Sequence, residues 1–172
     1  ARDETPGCRA GKQIQGMSTP AHRARLVLAL RSAGITETSV LSAIESVPRE
    51  LFVPETFIDR AYEDTALPIG YGQTLSQPLV VATMIQALDL DNRHKLFEVG
   101  TGSGYHAAIL SHLCRRVYTI ERHKPLLAEA QKKFETLGLT NVIAMAGDGM
   151  KGWPEQAPFD RISVTAAGDA PP

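Results

Sequence analysis

Apolar residues recur along this chain in two rhythms, a spacing of three to four residues and short unbroken runs, and the alternation between them predicts the elements. Thr19 followed by Pro20 has the form of an N-cap and a first helical residue. Ala24, Val27, Leu28 and Ala33 then fall at helical spacing until Gly34 stops the run. A second short helix is predicted after Thr38, with Val40, Leu41, Ile44 and Val47 turned inward and Pro48 closing it. From Leu67 to Pro78 the texture changes to LPIGYGQTLSQP, which reads as an ordered turn region. Ser76 stands where an N-cap should be, with Pro78 in the first turn and Val81, Ile85 and Leu88 continuing a third helical stripe. Beyond it, short apolar strands are predicted over 95–99, 117–120, 142–146 and 159–165. Longer helices over 104–113 and 125–137 separate the first three of these. That order predicts an α/β fold with a doubly wound, mostly parallel sheet and right-handed crossovers.

The polar residues 1–17 have no apolar period and read as a flexible leader, 18–66 as an N-terminal helical cap, and 67–172 as the core. A chain of 172 residues, 43% apolar and 22% charged, supports one main hydrophobic core. Its net charge of −1 supplies no basic field to attract nucleic acid or an acidic membrane, so neither is expected as a partner. No signal-type apolar run and no stretch of about 18 apolar residues occurs, which points to a cytoplasmic protein. The two cysteines, Cys8 and Cys114, belong to no CxxC or Cys/His cluster. They are read as free thiols in a reducing compartment, and no metal is expected. None of the five histidines suggests a nucleophilic triad, and Trp153 and Tyr105 are read as packing residues.

The densest local signal is LFEVGTGSGY over 96–105, an apolar strand that runs into a glycine turn and then a helix. Glycines there allow positive φ angles and close approach of a ligand to the backbone. The dinucleotide fingerprint G-x-G-x-x-G requires its last glycine where this chain has Tyr105, which argues against a nicotinamide cofactor. The segment instead resembles the first motif of the Rossmann-like methyltransferases, E/D-x-G-x-G-x-G. That resemblance implies S-adenosylmethionine as cofactor and Gly100, Thr101, Gly102, Ser103 and Gly104 as its cradle. An acidic residue just before the turn suits the cofactor's ammonium group, and Glu98 takes that role. Glu121 ends the next strand at the distance of a ribose-binding carboxylate. Asp148 and Gly149 follow the third strand, where methyltransferases of this class place a residue near the adenine; an Asp-Gly pair is also a common turn.

The element GQTLSQP over 72–78 narrows the substrate. With VPRELFVP over 47–54, GDG over 147–149 and GWP over 152–154, it resembles the protein-L-isoaspartate O-methyltransferase family across roughly 20–172. The resemblance implies transfer of a methyl group to the α-carboxyl of L-isoaspartyl residues in damaged proteins and peptides. It also implies Ser76 as the active-site residue, with Thr74, Leu75, Ser76 and Gln77 around the substrate. Such a nucleophile is already anionic near neutral pH, so positioning rather than base catalysis is the task, and the helix N-terminus beyond Ser76 is read as a holder of the substrate carboxylate. Family members continue through further strands and a helix, so a monomer with an associable open sheet edge is expected. Gly168 stands where many relatives have alanine. Two alternatives remain open: methylation of another substrate by the same cofactor fold, and a short form that binds cofactor without turnover.

Overall fold

The computed structural model describes residues 20–167. The leader with Cys8, the expected cap Thr19, and Gly168 lie outside the described residues. The first helix, α1, spans Pro20–Ser32, and Gly34 at φ +100° ends it. Its buried face corrects the expected one. Leu26 and Leu30 are buried while Leu28 is 64% exposed, and Ala24 and Ala33 also face out. Apolar residues occur nearly all round this helix, so spacing alone left its rotation open. Packing against the next helix, α2 (Thr38–Ser46), decided it. In α2, Val40, Leu41 and Ile44 are buried as expected, with Val47 just beyond the helix.

Pro48 and Pro54 each precede a short 3-10 turn, Arg49–Phe52 and Glu55–Arg60, which the periodicity did not reveal. The segment expected to be an ordered turn region is an antiparallel hairpin, β1 (Leu67–Gly70) and β2 (Gln73–Leu75). Tyr71 and Gly72 at its tip have φ of +54° and +68°, the sign that a tight hairpin turn with native twist demands. Leu67 and Leu75, opposite one another, drive their side chains into the core. The third helix, α3, spans Pro78–Ala87 and turns Val81 and Ile85 inward.

Four parallel strands form the main sheet: β3 (Lys95–Val99), β4 (Arg116–Glu121), β5 (Val142–Ala146) and β6 (Arg161–Val164), in the order β5-β4-β3-β6. Helices α4 (Tyr105–Ser111) and α5 (Lys124–Thr136) make the crossovers. Side-chain alternation splits the apolar load between the two faces. Leu96 and Val117 join α1 to α5 in the larger cluster, whereas Phe97, Val99, Tyr118 and Ile120 meet Trp153 and Phe159 on the other face. Each such fully buried side chain contributes on the order of 1.5–3 kcal/mol. The chain works outward from β3 to β5 and then returns to the other side of β3 as β6. This order leaves a switch point between β3 and β6, and in open α/β sheets ligands settle beyond the carboxyl ends of strands at that place. Strand β6 forms one edge of the sheet, with Ile162 and Val164 exposed on it.

Candidate functional site

The turn that leaves β3 lies at that switch point. Gly100, Gly102 and Gly104 have φ of +101°, +53° and +90°, a left-handed conformation that a side chain would strain at each step. Their surroundings separate their reasons. A Cβ on Gly100 would meet Thr165 Oγ1 at 2.9 Å, and one on Gly104 would meet Phe134 at 2.8 Å. One on Gly102 would find nothing nearer than Ile69 Cδ1 at 3.4 Å. Gly100 and Gly104 are therefore held by packing, while Gly102 faces the freer space between the turn and the β1–β2 hairpin. The Gly100 N–H donates to the Ile120 carbonyl at 2.9 Å, and Thr165 Oγ1 donates to the Gly100 carbonyl at 2.6 Å. The turn is thus stitched to β4 on one side and to the end of β6 on the other.

Glu121, at the end of β4, is 5% exposed and reaches this turn. Its Oε2 accepts the Gly102 N–H at 2.9 Å, and its Oε1 accepts the His123 N–H at 2.9 Å. Each carboxylate oxygen keeps a further lone pair beyond these bonds. His123 in turn stacks against Tyr71 at the hairpin tip, with ring centroids 5.7 Å apart. Asp148, on the loop after β5, accepts the Met150 N–H at 3.0 Å and caps a 3-10 turn while remaining exposed. The neighbouring Gly149 is required by packing, since a Cβ there would lie 2.3 Å from Val99 Cγ1.

Glu98 does not stand on the open side of the turn as expected. Strand alternation turns its side chain into the interior, where it is wholly buried. There Thr119 Oγ1 donates to Glu98 Oε2 at 2.5 Å, Thr119 pairs with Thr101 Oγ1 at 2.6 Å, and His106 Nδ1 lies 3.5 Å from Glu98 Oε1. Burial pushes the Glu98 carboxyl up to about 8, with the Thr119 hydrogen bond opposing and the nearby Glu121 charge adding to the shift. Burial also depresses His106 to about 4. At neutral pH the pair is therefore mostly an uncharged acid beside an uncharged imidazole. Glu121, rather than Glu98, is the carboxylate that borders the turn.

The Ser76 segment also differs from its predicted form. Gln77, not Ser76, is the N-cap residue of α3, and Pro78 fills the first helical position. The Leu79 N–H donates to Asp64 Oδ1 at 2.9 Å, so a carboxylate of the chain itself already serves this helix N-terminus. Thr74 is exposed and Ser76 and Gln77 half-buried, but the Leu75 side chain belongs to the core and can offer only its backbone to a ligand. The residue that fixes this segment was missed from sequence. Arg49 is fully buried; its Nη2 donates to the Ser76 carbonyl and its Nε to the Ala61 carbonyl, both at 2.7 Å. Its guanidinium lies 4.8 Å from the ring centroid of Tyr105, which also packs on Phe52. The VPRELFVP segment was legible as a motif, but nothing in it, with Arg49 beside Glu50, tells what the arginine holds.

Among the described residues no group of three or more His, Cys, Asp and Glu side chains could hold a metal ion, and no helix is long and apolar enough to cross a membrane. Cys114 is a buried free thiol.

A parallel sheet in this order, a left-handed glycine turn at its switch point and a strand-end carboxylate hydrogen-bonded into that turn define a Rossmann-like cofactor-binding fold, and the family match makes it that of an S-adenosylmethionine-dependent methyltransferase. The particular family follows from its relatives. The chain belongs to the protein-L-isoaspartate(D-aspartate) O-methyltransferase family (PCMT), whose model matches residues 21–172. It is 64% identical over 156 residues to the protein-L-isoaspartate O-methyltransferase of Rhodospirillum centenum, a match that covers 91% of this chain and 71% of that one. With the enzyme of the same name from Paramagnetospirillum magneticum it shares 62% identity, over 86% of this chain and 70% of the relative. A solved protein-L-isoaspartate O-methyltransferase superposes with a TM-score of 0.77 at 31% identity, over 86% of this chain and 49% of that one. A beta-aspartate methyltransferase (PCMT) from Plasmodium falciparum, solved in complex with S-adenosyl-L-homocysteine, shares the fold. Its TM-score is 0.75 at 23% identity, over 88% of this chain and 76% of that one.

Proposed function

We infer that the chain performs its family's reaction, methyl transfer from S-adenosylmethionine to the α-carboxyl of L-isoaspartyl residues in damaged proteins and peptides, using the parts assembled above. The bond between Glu121 and the Gly102 N–H carries this reading, because it holds a carboxylate with unused lone pairs at the mouth of the glycine turn. When bound, the cofactor supplies an electrophilic methyl group on a sulfonium. Residues Gly100, Thr101, Gly102, Ser103 and Gly104 would give it a backbone cradle, of which Gly102 faces the space a ligand needs. Glu121 would accept from the ribose hydroxyls. Asp148 and Gly149 would border the adenine, with Asp148 keeping acceptor capacity beyond its bond to Met150. Glu98 acts from behind, through Thr119 and Thr101, to hold the turn's shape.

The reaction itself asks little acid–base chemistry of the protein. A carboxylate nucleophile is ionised at neutral pH, so holding it in line with the methyl group is the main contribution. Thr74, Ser76, Gln77 and the backbone of Leu75 would form the substrate edge, with Ser76 orienting the carboxylate by one hydrogen bond. The residue is half-buried, and no hydrogen bond from its hydroxyl occurs among the described residues. Since Asp64 occupies the start of α3, orientation by the serine hydroxyl replaces capture by a bare helix end.

Residues 18–66 act as a cap beside the cofactor core of 67–172. We read the protein as cytoplasmic and monomeric. The deciding experiment measures methyl transfer from labelled S-adenosylmethionine to matched peptides that differ only in L-isoaspartate against L-aspartate. Base-labile label on the isoaspartyl peptide alone is expected; equal labelling of both would replace this substrate with another.

A further inference from the structure

Among the described residues Arg49 is the largest wholly buried side chain, and it joins three parts of the fold that are remote in sequence. Through Nη2 it holds the carbonyl of Ser76, 27 residues away, and through Nε that of Ala61. Its charged plane rests over Tyr105, the first residue of α4 and the direct continuation of the glycine turn after Gly104. The two carbonyl bonds use donors on the same rigid guanidinium, so Ser76 and Ala61 are fixed relative to one another as well as to the ring below. Burying a guanidinium is costly, here the more so because Nη1 finds no hydrogen-bond partner among the described residues, and apolar residues of equal volume commonly serve stability as well. A cation retained here, between the substrate edge and the cofactor turn, therefore calls for a reason beyond packing.

We propose that Arg49 is a positioning residue for methyl transfer: it sets the Ser76 backbone against the head of α4, so that the substrate carboxylate held at Ser76 lies in line with the methyl group held at the glycine turn. It touches neither substrate nor cofactor and acts through Ser76 and Tyr105. In-line displacement is sensitive to such alignment, since a misplacement of about 1 Å at a reacting centre can lower a rate by about a hundredfold. The inference rests on the assignment of Ser76 to the substrate edge.

The test compares Arg49→Lys and Arg49→Gln with Leu30→Val, a change on α1 elsewhere in the same core cluster that leaves the links of Arg49 to Ser76 and Tyr105 intact. Lysine keeps the charge but not the paired donors or the flat stacking surface. For each folded variant, kcat and KM for an isoaspartyl peptide, the Kd for S-adenosyl-L-homocysteine and the melting temperature are measured. Expected for both Arg49 variants is a kcat/KM lower by about tenfold or more, carried mainly by kcat, with cofactor Kd within about threefold of the parent. Leu30→Val, matched in melting temperature, should stay within about twofold of the parent's kcat/KM. In a Ser76→Ala background the effect of Arg49→Lys should shrink, because the hydroxyl it aligns is gone. Activity that falls only in proportion to melting temperature, or Kd and kcat/KM that fall together, would overturn the proposal. Normal turnover in Ser76→Ala with impaired Arg49→Lys removes the Ser76 assignment and with it the route proposed for Arg49. Impaired Ser76→Ala with normal Arg49→Lys removes the role of Arg49 alone.

Discussion

The carboxylate of Glu121 and the backbone N–H of Gly102 lie 2.9 Å apart, although 19 residues separate them in the chain. This bond ties the carboxyl end of β4 to the turn that leaves β3, and it gives Glu121 two tasks, to hold the turn and to face the cofactor. Replacement by glutamine keeps the shape but removes the charge assistance, which roughly halves the strength of such a hydrogen bond. Glu121→Gln should weaken S-adenosyl-L-homocysteine binding by about tenfold, as isothermal titration would measure. Unchanged affinity would confine Glu121 to holding the turn.

Gly102 and Gly104 should respond differently to alanine. At Gly104 a Cβ adds contacts of 2.8 and 2.9 Å with the Phe134 ring to an unfavourable φ, so Gly104→Ala should cost about 2–4 kcal/mol of stability. At Gly102 only the backbone strain of about 1–2 kcal/mol applies, with Ile69 at van der Waals distance. Chemical denaturation should rank them in that order, while cofactor binding should suffer in Gly102→Ala even where the protein stays folded.

The buried Glu98–His106 pair predicts a dependence of stability on pH. Glu98 titrates near 8 in the folded protein against an ordinary 4.5, so the folded state holds a proton that the unfolded state releases, and its stabilisation is lost as pH rises from about 4.5 through 8. His106 titrates near 4 against 6.5, so its contribution is lost as pH falls from about 6.5 through 4. The two oppose each other in the acid range and leave a net decline between about pH 6.5 and 8, with a limiting slope of about 1.4 kcal/mol per unit for one proton. Glu98→Gln should flatten that limb in denaturant titrations at each pH. An unchanged limb would place the titrating group elsewhere.

Ser76→Ala removes one hydroxyl from a half-buried position outside the α3 cap. Since Gln77 and Asp64 define that helix start, the stability cost should stay below about 1 kcal/mol, less than loss of a true cap. Methyl transfer to an isoaspartyl peptide should fall about tenfold or more with cofactor affinity nearly constant. A rate equal to the parent's would leave the serine without a part in orientation.

Much of this was written locally. The strand bounds 95–99 and 142–146 were legible from short, predominantly apolar runs set between longer helical stretches, a local pattern that does not depend on which strands become their neighbours. The spacing of Gly100, Gly102 and Gly104 likewise announced a ligand turn before any fold was known, since positive φ is a property of the single residue. Side-chain direction was another matter. Glu98 read as a residue at the cofactor, yet the pleat of β3 and the cover supplied by α4 turned it inward. Ser76 read as a cap, yet Asp64, 15 residues upstream of the Leu79 N–H it accepts, had displaced it from that office. Arg49 carried no local signature, because its partners Ala61, Ser76 and Tyr105 converge only on folding.

The sequence by itself therefore determined the alternation of elements, the glycine turn and the family motifs, all of which rest on the intrinsic preferences of neighbouring residues. Only the tertiary structure decided which face α1 buries, which carboxylate meets the turn and which is neutralised, and what holds Ser76 in place. Those outcomes depend on desolvation and on hydrogen bonds between segments far apart in the chain, and neither exists until the chain is packed.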